Sequence, residues 1–230
     1  MVLIPKTGNL EAYWIDKRLV TVADFRKFIQ VTNYKTEAEK FGDAGFFDVK
    51  TGQWSLKKGA TWEFPQGLDF PKGADNHPVT QVSWNDAQAY CKWAKKRLPT
   101  KAEYELAAKN GEDSEQTYSW GEADFENGKY KANFWQGSFP LVNTVKDGFL
   151  YTSPVGYFGK TDIGLTDMGG NVWQWIQDWS TDKPTEKIQV GGSFLCDKSV
   201  CHGYKIGNSA SSTPETSLMH VGFRCAKTNK

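Results

Sequence analysis

The chain signals three helices before about residue 110 and none after it, and that asymmetry constrains the fold more than any other feature of its 230 residues. Each helix start is a capping box, in which a hydroxyl accepts from a first-turn N–H and an acidic side chain three positions on reaches back to the cap. The boxes are Thr21-Val-Ala-Asp24, Ser83-Trp-Asn-Asp86 and Thr100-Lys-Ala-Glu103. After Ser83, the residues Ala87, Tyr90, Cys91 and Ala94 recur on one helix face, which points Cys91 inward; after Thr100, Tyr104, Ala107 and Ala108 do the same. Further on, short apolar runs alternate with Gly, Asn and Asp clusters, the pattern of short strands joined by long irregular loops. The 10 Trp, 14 Phe and 9 Tyr beside 22 Gly say how such a chain builds a core: large rings pack against a backbone that turns often. The expected fold is an α+β domain with few strands and much ordered coil. No Pro/Ser-rich linker, charge run or low-complexity stretch divides it, so residues 1–230 read as one domain.

Charge and hydropathy exclude several partners. With 28 basic and 27 acidic residues scattered along the chain, the net charge is +1 and no basic stripe marks a nucleic-acid footprint. No run of about 18 apolar residues exists to span a membrane. The start Met1-Val-Leu-Ile-Pro-Lys6 lacks the charged and long apolar regions of a signal peptide.

The chemistry concentrates in Gly191-Gly-Ser-Phe-Leu-Cys196-Asp-Lys-Ser-Val-Cys201-His202, a polar, glycine-rich segment where a cysteine packs badly as core. Two such thiols suit a disulfide, a redox pair or a soft-metal clamp. Zinc is disfavoured because no second Cys/His pair stands at finger spacing; the histidines are His77, His202 and His220. Cys201-His202 makes a poor protease dyad, since sequence neighbours on a loop point apart. His77, before Pro78, reads as structural, and the Trp-rich stretch from Asn171 to Trp179 reads as core. Cys91 and Cys225 lie in apolar surroundings that suit a structural bridge, yet four cysteines allow three pairings and the sequence does not choose among them.

Several runs carry a resemblance. His77-Pro-Val-Thr-Gln-Val-Ser-Trp-Asn-Asp86 continuing through Cys91 and Arg97 to Glu103, Thr36-Glu-Ala-Glu-Lys-Phe-Gly42, Ala132-Asn-Phe-Trp-Gln-Gly137, Gly170-Asn-Val-Trp173, Gly191-Gly-Ser193 and Gly222-Phe-Arg-Cys225 together resemble the formylglycine-generating enzymes, the sulfatase-modifying factors. They cover nearly the whole chain in order, with the N-terminus trimmed, because Ile4-Pro-Lys-Thr-Gly8 runs almost directly into the strand leading to Thr21. The resemblance implies a C-type-lectin-like variant fold that is loop-rich with few strands. It implies an active-site pair, Cys196 and Cys201, that holds Cu(I) and oxidises a cysteine of a sulfatase-type client to Cα-formylglycine with O2. Trp173 and Ser193 match the pocket where oxygen is thought to bind, and Cys91 and Cys225 match a structural disulfide. A second disulfide of some members is absent, Ala107 and Ile206 standing in its places.

The same resemblance implies two Ca2+ sites, one from side chains of Asn133 and Asp147 with carbonyls of Phe134 and Phe149, the other from Asp167 and Gln174 with carbonyls of Gly170 and Val172. In the second, Asp167 replaces the family's asparagine and Gln174 its glutamate. Asn133 and Asp147 also read as ordinary Asx-turn residues. The substrate groove departs from the pattern: Asp197 stands for histidine, Ser209-Ala210 for arginine-serine, and His220 for asparagine. Two other functions stay open, a non-catalytic lectin-like binding module and a related oxidase acting on a different, small thiol. The expected partners are a cysteine-containing peptide or protein and O2, with the chain acting as a monomer. A buried bridge favours an oxidising compartment, secreted or periplasmic, over the cytoplasm.

Overall fold

Four helices, each started by a reciprocal capping box, carry the regular part of the chain: α1 (Val22–Thr32), α2 (Glu37–Phe41), α3 (Trp84–Trp93) and α4 (Lys101–Ala108). The structure, a computed structural model, describes residues 1–112 and 114–229. Three of these helices are the expected ones. The fourth, α2, has the box Thr36-Glu-Ala-Glu39 in plain view but is five residues long, too short for a periodic apolar face to announce it. The Asp86 carboxylate, part of the α3 box, also accepts from the Tyr34 hydroxyl and the Glu37 N–H, so the start of α3 holds the start of α2.

The strands are short, as the loss of helical periodicity requires. β1 (Val2–Ile4) and β2 (Tyr13–Ile15) form a three-stranded sheet with the C-terminal β13 (Ala226–Thr228). β3 (Asp43–Asp48) and β4 (Gln53–Lys58) make a hairpin. Two-residue ladders pair β5 (Phe125–Glu126) with β6 (Lys129–Tyr130) and β7 (Gly137–Ser138) with β8 (Val142–Asn143). The main sheet runs in the order β11 (Ser209–Ser212), β10 (Lys187–Val190), β9 (Trp173–Trp179), β12 (Val221–Gly222), with β12 parallel to β9 and the other pairs antiparallel. The first four residues of β9 are buried on both faces. Trp173 and Trp175 enter one core cluster with Phe25, Tyr90 and Phe223, whereas Ile176 enters another with Ile4, Tyr13, Ile15 and Tyr104. The Trp-rich stretch is therefore core as far as Trp175, and Trp179 emerges half-exposed.

Cys91 on α3 is bonded to Cys225 just before β13, across 134 residues and in full burial. Around it Phe25, Phe28, Tyr90 and Phe223 pack edge-on or stacked at centroid distances between 5.3 and 6.4 Å. Among the described residues no helix is long and apolar enough to cross a membrane.

The bridge closes a loop of more than half the chain, which restricts the unfolded state more than any local contact can. The Cys91→Ala/Cys225→Ala double variant is expected to lose about 2–5 kcal/mol of stability, read as a lower urea midpoint. An unchanged midpoint would show that ring packing alone holds α3 to the C-terminal strand.

Candidate active site

The segment leaving β10 turns sharply to present two sulfurs. Gly192 is left-handed at φ 69°, and a Cβ there would lie 2.4 Å from the backbone nitrogen of Tyr204, so only glycine lets these two strands of loop approach. The turn brings the Ser193 N–H to 3.4 Å from Cys196 Sγ and leaves the Ser193 hydroxyl 4.0 Å from the same sulfur, with its oxygen accepting from Leu195 N–H. Cys196 is 2% exposed. Cys201 is exposed, unbridged, and 2.7 Å from Cys196 by sulfur separation. That exceeds the disulfide length of about 2.05 Å, so the two are neighbours rather than a bond.

Trp173 stands against the buried sulfur. A Cβ on Gly203 would lie 2.4 Å from the Trp173 ring and 2.9 Å from Cys196 Sγ, which means ring, sulfur and loop backbone meet at a point where no side chain fits. Burial pushes the Cys196 thiol well up. Cys201 is held below the ordinary thiol range, chiefly by the hydrogen bond from Cys196 and also by the Gly203 N–H. The inner sulfur therefore holds its proton more tightly than the outer one, which is the more readily ionised of the two and the one an incoming group meets.

The residues expected to line a substrate groove separate here. Asp197 is buried and turned into its own loop: one carboxylate oxygen accepts from Ser199 N–H, Ser199 Oγ and Val200 N–H at 2.6–3.0 Å. Although burial opposes it, these donors hold the Asp197 carboxyl below its ordinary range. Asp197 thus shapes the turn that carries Cys201, with one carboxylate oxygen spent on that turn. Ser209 sits on the outer strand of the main sheet, opposite Val190, and is exposed. His220 is buried, lies tilted against Trp54 at 5.1 Å between ring centroids and accepts the backbone N–H of Trp173 on its carbonyl at 2.9 Å, while its ring Nδ1 has no partner. Sequence reasoning passed over Tyr118 and treated His202 only as a poor protease base; the His202 ring turns away from Cys201 to meet the Tyr118 hydroxyl at 2.8 Å.

The first expected Ca2+ cluster fits a cation. Asn133 Oδ1 is buried with no hydrogen-bond partner, and the neighbouring Asp147 carboxyl, pushed up by burial, accepts from Phe134 N–H and Phe149 N–H. The Gln136 amide nitrogen reaches the Phe134 carbonyl and Asp147 Oδ2, contacts that a cation would have to displace, which a neutral side chain allows more readily than a buried guanidinium. The second cluster does not fit. Gln174 Oε1 is taken by Arg224 Nε at 2.7 Å, the Asp167 carbonyl accepts from Arg224 Nη2, and both Asp167 carboxylate oxygens are engaged by Gly156, Thr166 and Asn171. The fully buried guanidinium already supplies the cation of this cluster, so the expectation of Ca2+ on Asp167, Gly170, Val172 and Gln174 is withdrawn.

With this geometry in place, a family model described as the sulfatase-modifying factor enzyme 1-like domain matches residues 5–229. The chain belongs to that family. The formylglycine-generating enzyme of Mus musculus is 40% identical over 95% of the chain, which spans 66% of that enzyme's length. The formylglycine-generating enzyme of Streptomyces coelicolor is 38% identical, with 96% of this chain and 79% of that one covered. A Bos taurus relative named inactive C-alpha-formylglycine-generating enzyme 2 is 34% identical, over 95% of this chain and 78% of its own. The structure of PvdO from Pseudomonas aeruginosa superposes with a TM-score of 0.68 at 22% identity, covering 95% of this chain and 81% of that one. The loop-rich α+β architecture is thus a shared fold. Since family members include one named inactive, the thiol pair has to carry the functional argument.

Burial pushes the His220 imidazole from its ordinary 6.5 down to about 3. The unfolded chain takes up a proton near pH 6.5 that the folded chain refuses until about pH 3. His220 therefore contributes stability above the unfolded value that is lost as pH falls toward the folded one, by up to about 1.4 kcal/mol per pH unit. In His220→Gln that slope is absent: the difference in urea midpoint between parent and variant should change steadily from about pH 7 to about pH 4. A constant difference would place the His220 ring in water.

Proposed function

We propose that this chain oxidises a cysteine side chain of a sulfatase-type peptide or protein to Cα-formylglycine, with Cu(I) held by Cys196 and Cys201 and O2 as oxidant. The observation that carries the reading is the pair of unbridged thiols 2.7 Å apart, one buried against Trp173 and Ser193, the other at the surface. Two soft sulfurs side by side match Cu(I) in kind. Cu(I) bound there supplies a soft, electron-rich centre open to a third sulfur and to O2.

The balance defines what the residues must do. The thiol-bearing methylene of the substrate and O2, with two protons and two electrons from a thiol reductant, give an aldehyde, hydrogen sulfide and water; the substrate carbon supplies the other two electrons. A carbon–sulfur bond and two bonds to hydrogen, one on carbon and one on sulfur, are broken. Cys201 presents the more readily ionised sulfur outward, and the buried Cys196 holds its proton more tightly. The Trp173 ring closes the inner side of the pair and excludes water, and the Ser193 hydroxyl is the polar group next to Cys196 Sγ on that side.

The reduced protein should take up one Cu(I) per chain and convert a peptide cysteine to formylglycine with consumption of O2, seen as the mass change of a panel of cysteine peptides. Cys196→Ser and Cys201→Ser should each abolish turnover. The closeness of the two sulfurs also favours a second reading, in which the pair is a plain disulfide and the domain a lectin-like binding module. Tight Cu(I) binding without loss of thiol mass on any peptide or small thiol would leave that module standing; conversion of a small thiol alone would move the substrate class.

We further propose one Ca2+ on Asn133 and Asp147 with the carbonyls of Phe134 and Phe149, supported by the unpartnered Asn133 oxygen beside a buried carboxylate. Binding to the folded state alone at about 100-fold excess over Kd adds about 2.7 kcal/mol. Chelation should therefore lower the melting temperature of the parent and leave Asp147→Ala unmoved. A parent that melts alike with calcium and with chelator has no such site, and two bound equivalents would contradict the assignment of Arg224.

A further inference from the structure

Cys201 lies on an exposed loop, yet its sulfur is placed within 2.7 Å of a buried one, so something must fix that loop. The residue that turns the chain directly after Cys201, between it and Gly203, is His202. Its φ of 44° is left-handed, a conformation that costs a non-glycine residue free energy and persists only where the surroundings over-determine it. They do so here. The His202 N–H donates to the Asp197 carbonyl at 2.8 Å, and the His202 carbonyl accepts from Lys205 N–H at 3.0 Å and Asn208 Nδ2 at 2.9 Å. The ring packs edge-on against Tyr204 at 5.0 Å, and its Nε2 is bonded to the Tyr118 hydroxyl at 2.8 Å.

Tyr118 is itself immobilised. It is 2% exposed and stacked on Trp120 at 5.1 Å and on Tyr204 at 5.6 Å. The segment that carries it grips the cysteine loop at two further points, through Asp124 with Lys198 at 3.3 Å and through the Thr117 carbonyl with Ile206 N–H at 3.0 Å. A remote stretch of chain thereby buttresses the loop on both sides of Cys201.

We propose that Tyr118 and His202 are positioning residues for the thiol pair: their hydrogen bond locks the left-handed turn after Cys201 and so sets its sulfur against Cys196. The copper part of this inference rests on the function proposed above; the positioning of the sulfurs does not.

The test uses the metal-free, reduced full chain. Its Cys196 and Cys201 thiols are equilibrated with oxidised glutathione, each disulfide closed releasing two reduced glutathiones, and the products are trapped with acid and read by mass. Closure measures how often the two sulfurs meet. Tyr118→Phe keeps the ring stack and removes the hydroxyl; His202→Asn keeps a residue that tolerates the left-handed turn and removes the ring. Each should lower the closure constant by roughly threefold to tenfold, as the loss of one ordinary hydrogen bond implies. The double variant should lose no more than either single one, because both remove the same bond. His202→Gly adopts the turn without strain, so a glycine variant that closes like the parent would show that the backbone alone sets the pair and would overturn the proposal. Parent-like closure in both Tyr118→Phe and His202→Asn, or additive losses in the double variant, would overturn it equally. Cu(I) affinity by competition with a chromophoric chelator should fall in step. A parent that closes normally but binds no Cu(I) removes the copper reading and leaves the closure series to decide the positioning.

Discussion

A guanidinium buried at 0% exposure has to be solvated by protein, and the loop-rich half of this molecule is arranged around that requirement. Desolvating one charge costs several kcal/mol even after relaxation. Arg224 is compensated by the carbonyls of Asp16, Thr166 and Asp167 and by the side-chain oxygen of Gln174. These four residues come from the end of β2, the loop before β9 and β9 itself, so a single side chain ties the N-terminal sheet, the main sheet and the loop between them. Neighbouring backbone bonds share the load: Asp16 N–H donates to the Cys225 carbonyl and Val20 N–H to the Phe223 carbonyl. The disulfide at Cys91 and Cys225 then fastens α3 to the residue next to this centre.

With β9 fixed in this way, Trp173 at its start is a rigid wall, and the thiol loop folds against it. The wall matters because irregular backbone has little cooperative stiffness of its own, and precise placement of two sulfurs needs contacts from outside the loop. Gly203 allows the Trp173 ring and Cys196 to converge, Asp197 caps the turn from within, and the Tyr118 segment closes it from the other side. The result is an asymmetric pair, one sulfur desolvated with its pKa pushed up, the other exposed with its pKa held down. That asymmetry is an electrostatic property of depth, since the same side chain differs only in what surrounds it.

The departures from the family pattern change meaning once they are placed. Asp197 forms the turn that carries Cys201, and His220 lies against Trp54 with its backbone supporting Trp173. Of the four altered groove residues, Asp197 and His220 are buried, Ala210 is half-buried and Ser209 is exposed. The altered chemistry therefore acts mainly on the framework of the site.

The sequence by itself determined the local events: the caps at Thr21, Ser83 and Thr100, the inward face of α3 that buries Cys91, and the change to short strands and loops; the polar, glycine-rich setting of Cys196 did not foretell that it packs in the core beside Trp173. Each of those local events depends on residues a few positions apart, so a linear reading captures it. Tertiary structure alone decided which cysteines are bonded, that Gln174 serves Arg224 instead of calcium, that Asp197 faces inward, and that Tyr118 meets His202. The Arg224 and His202 partnerships span 50 and 84 positions, so they depend on which of several available groups each side chain reaches once the intervening chain has folded. In irregular backbone no period carries that information along the chain.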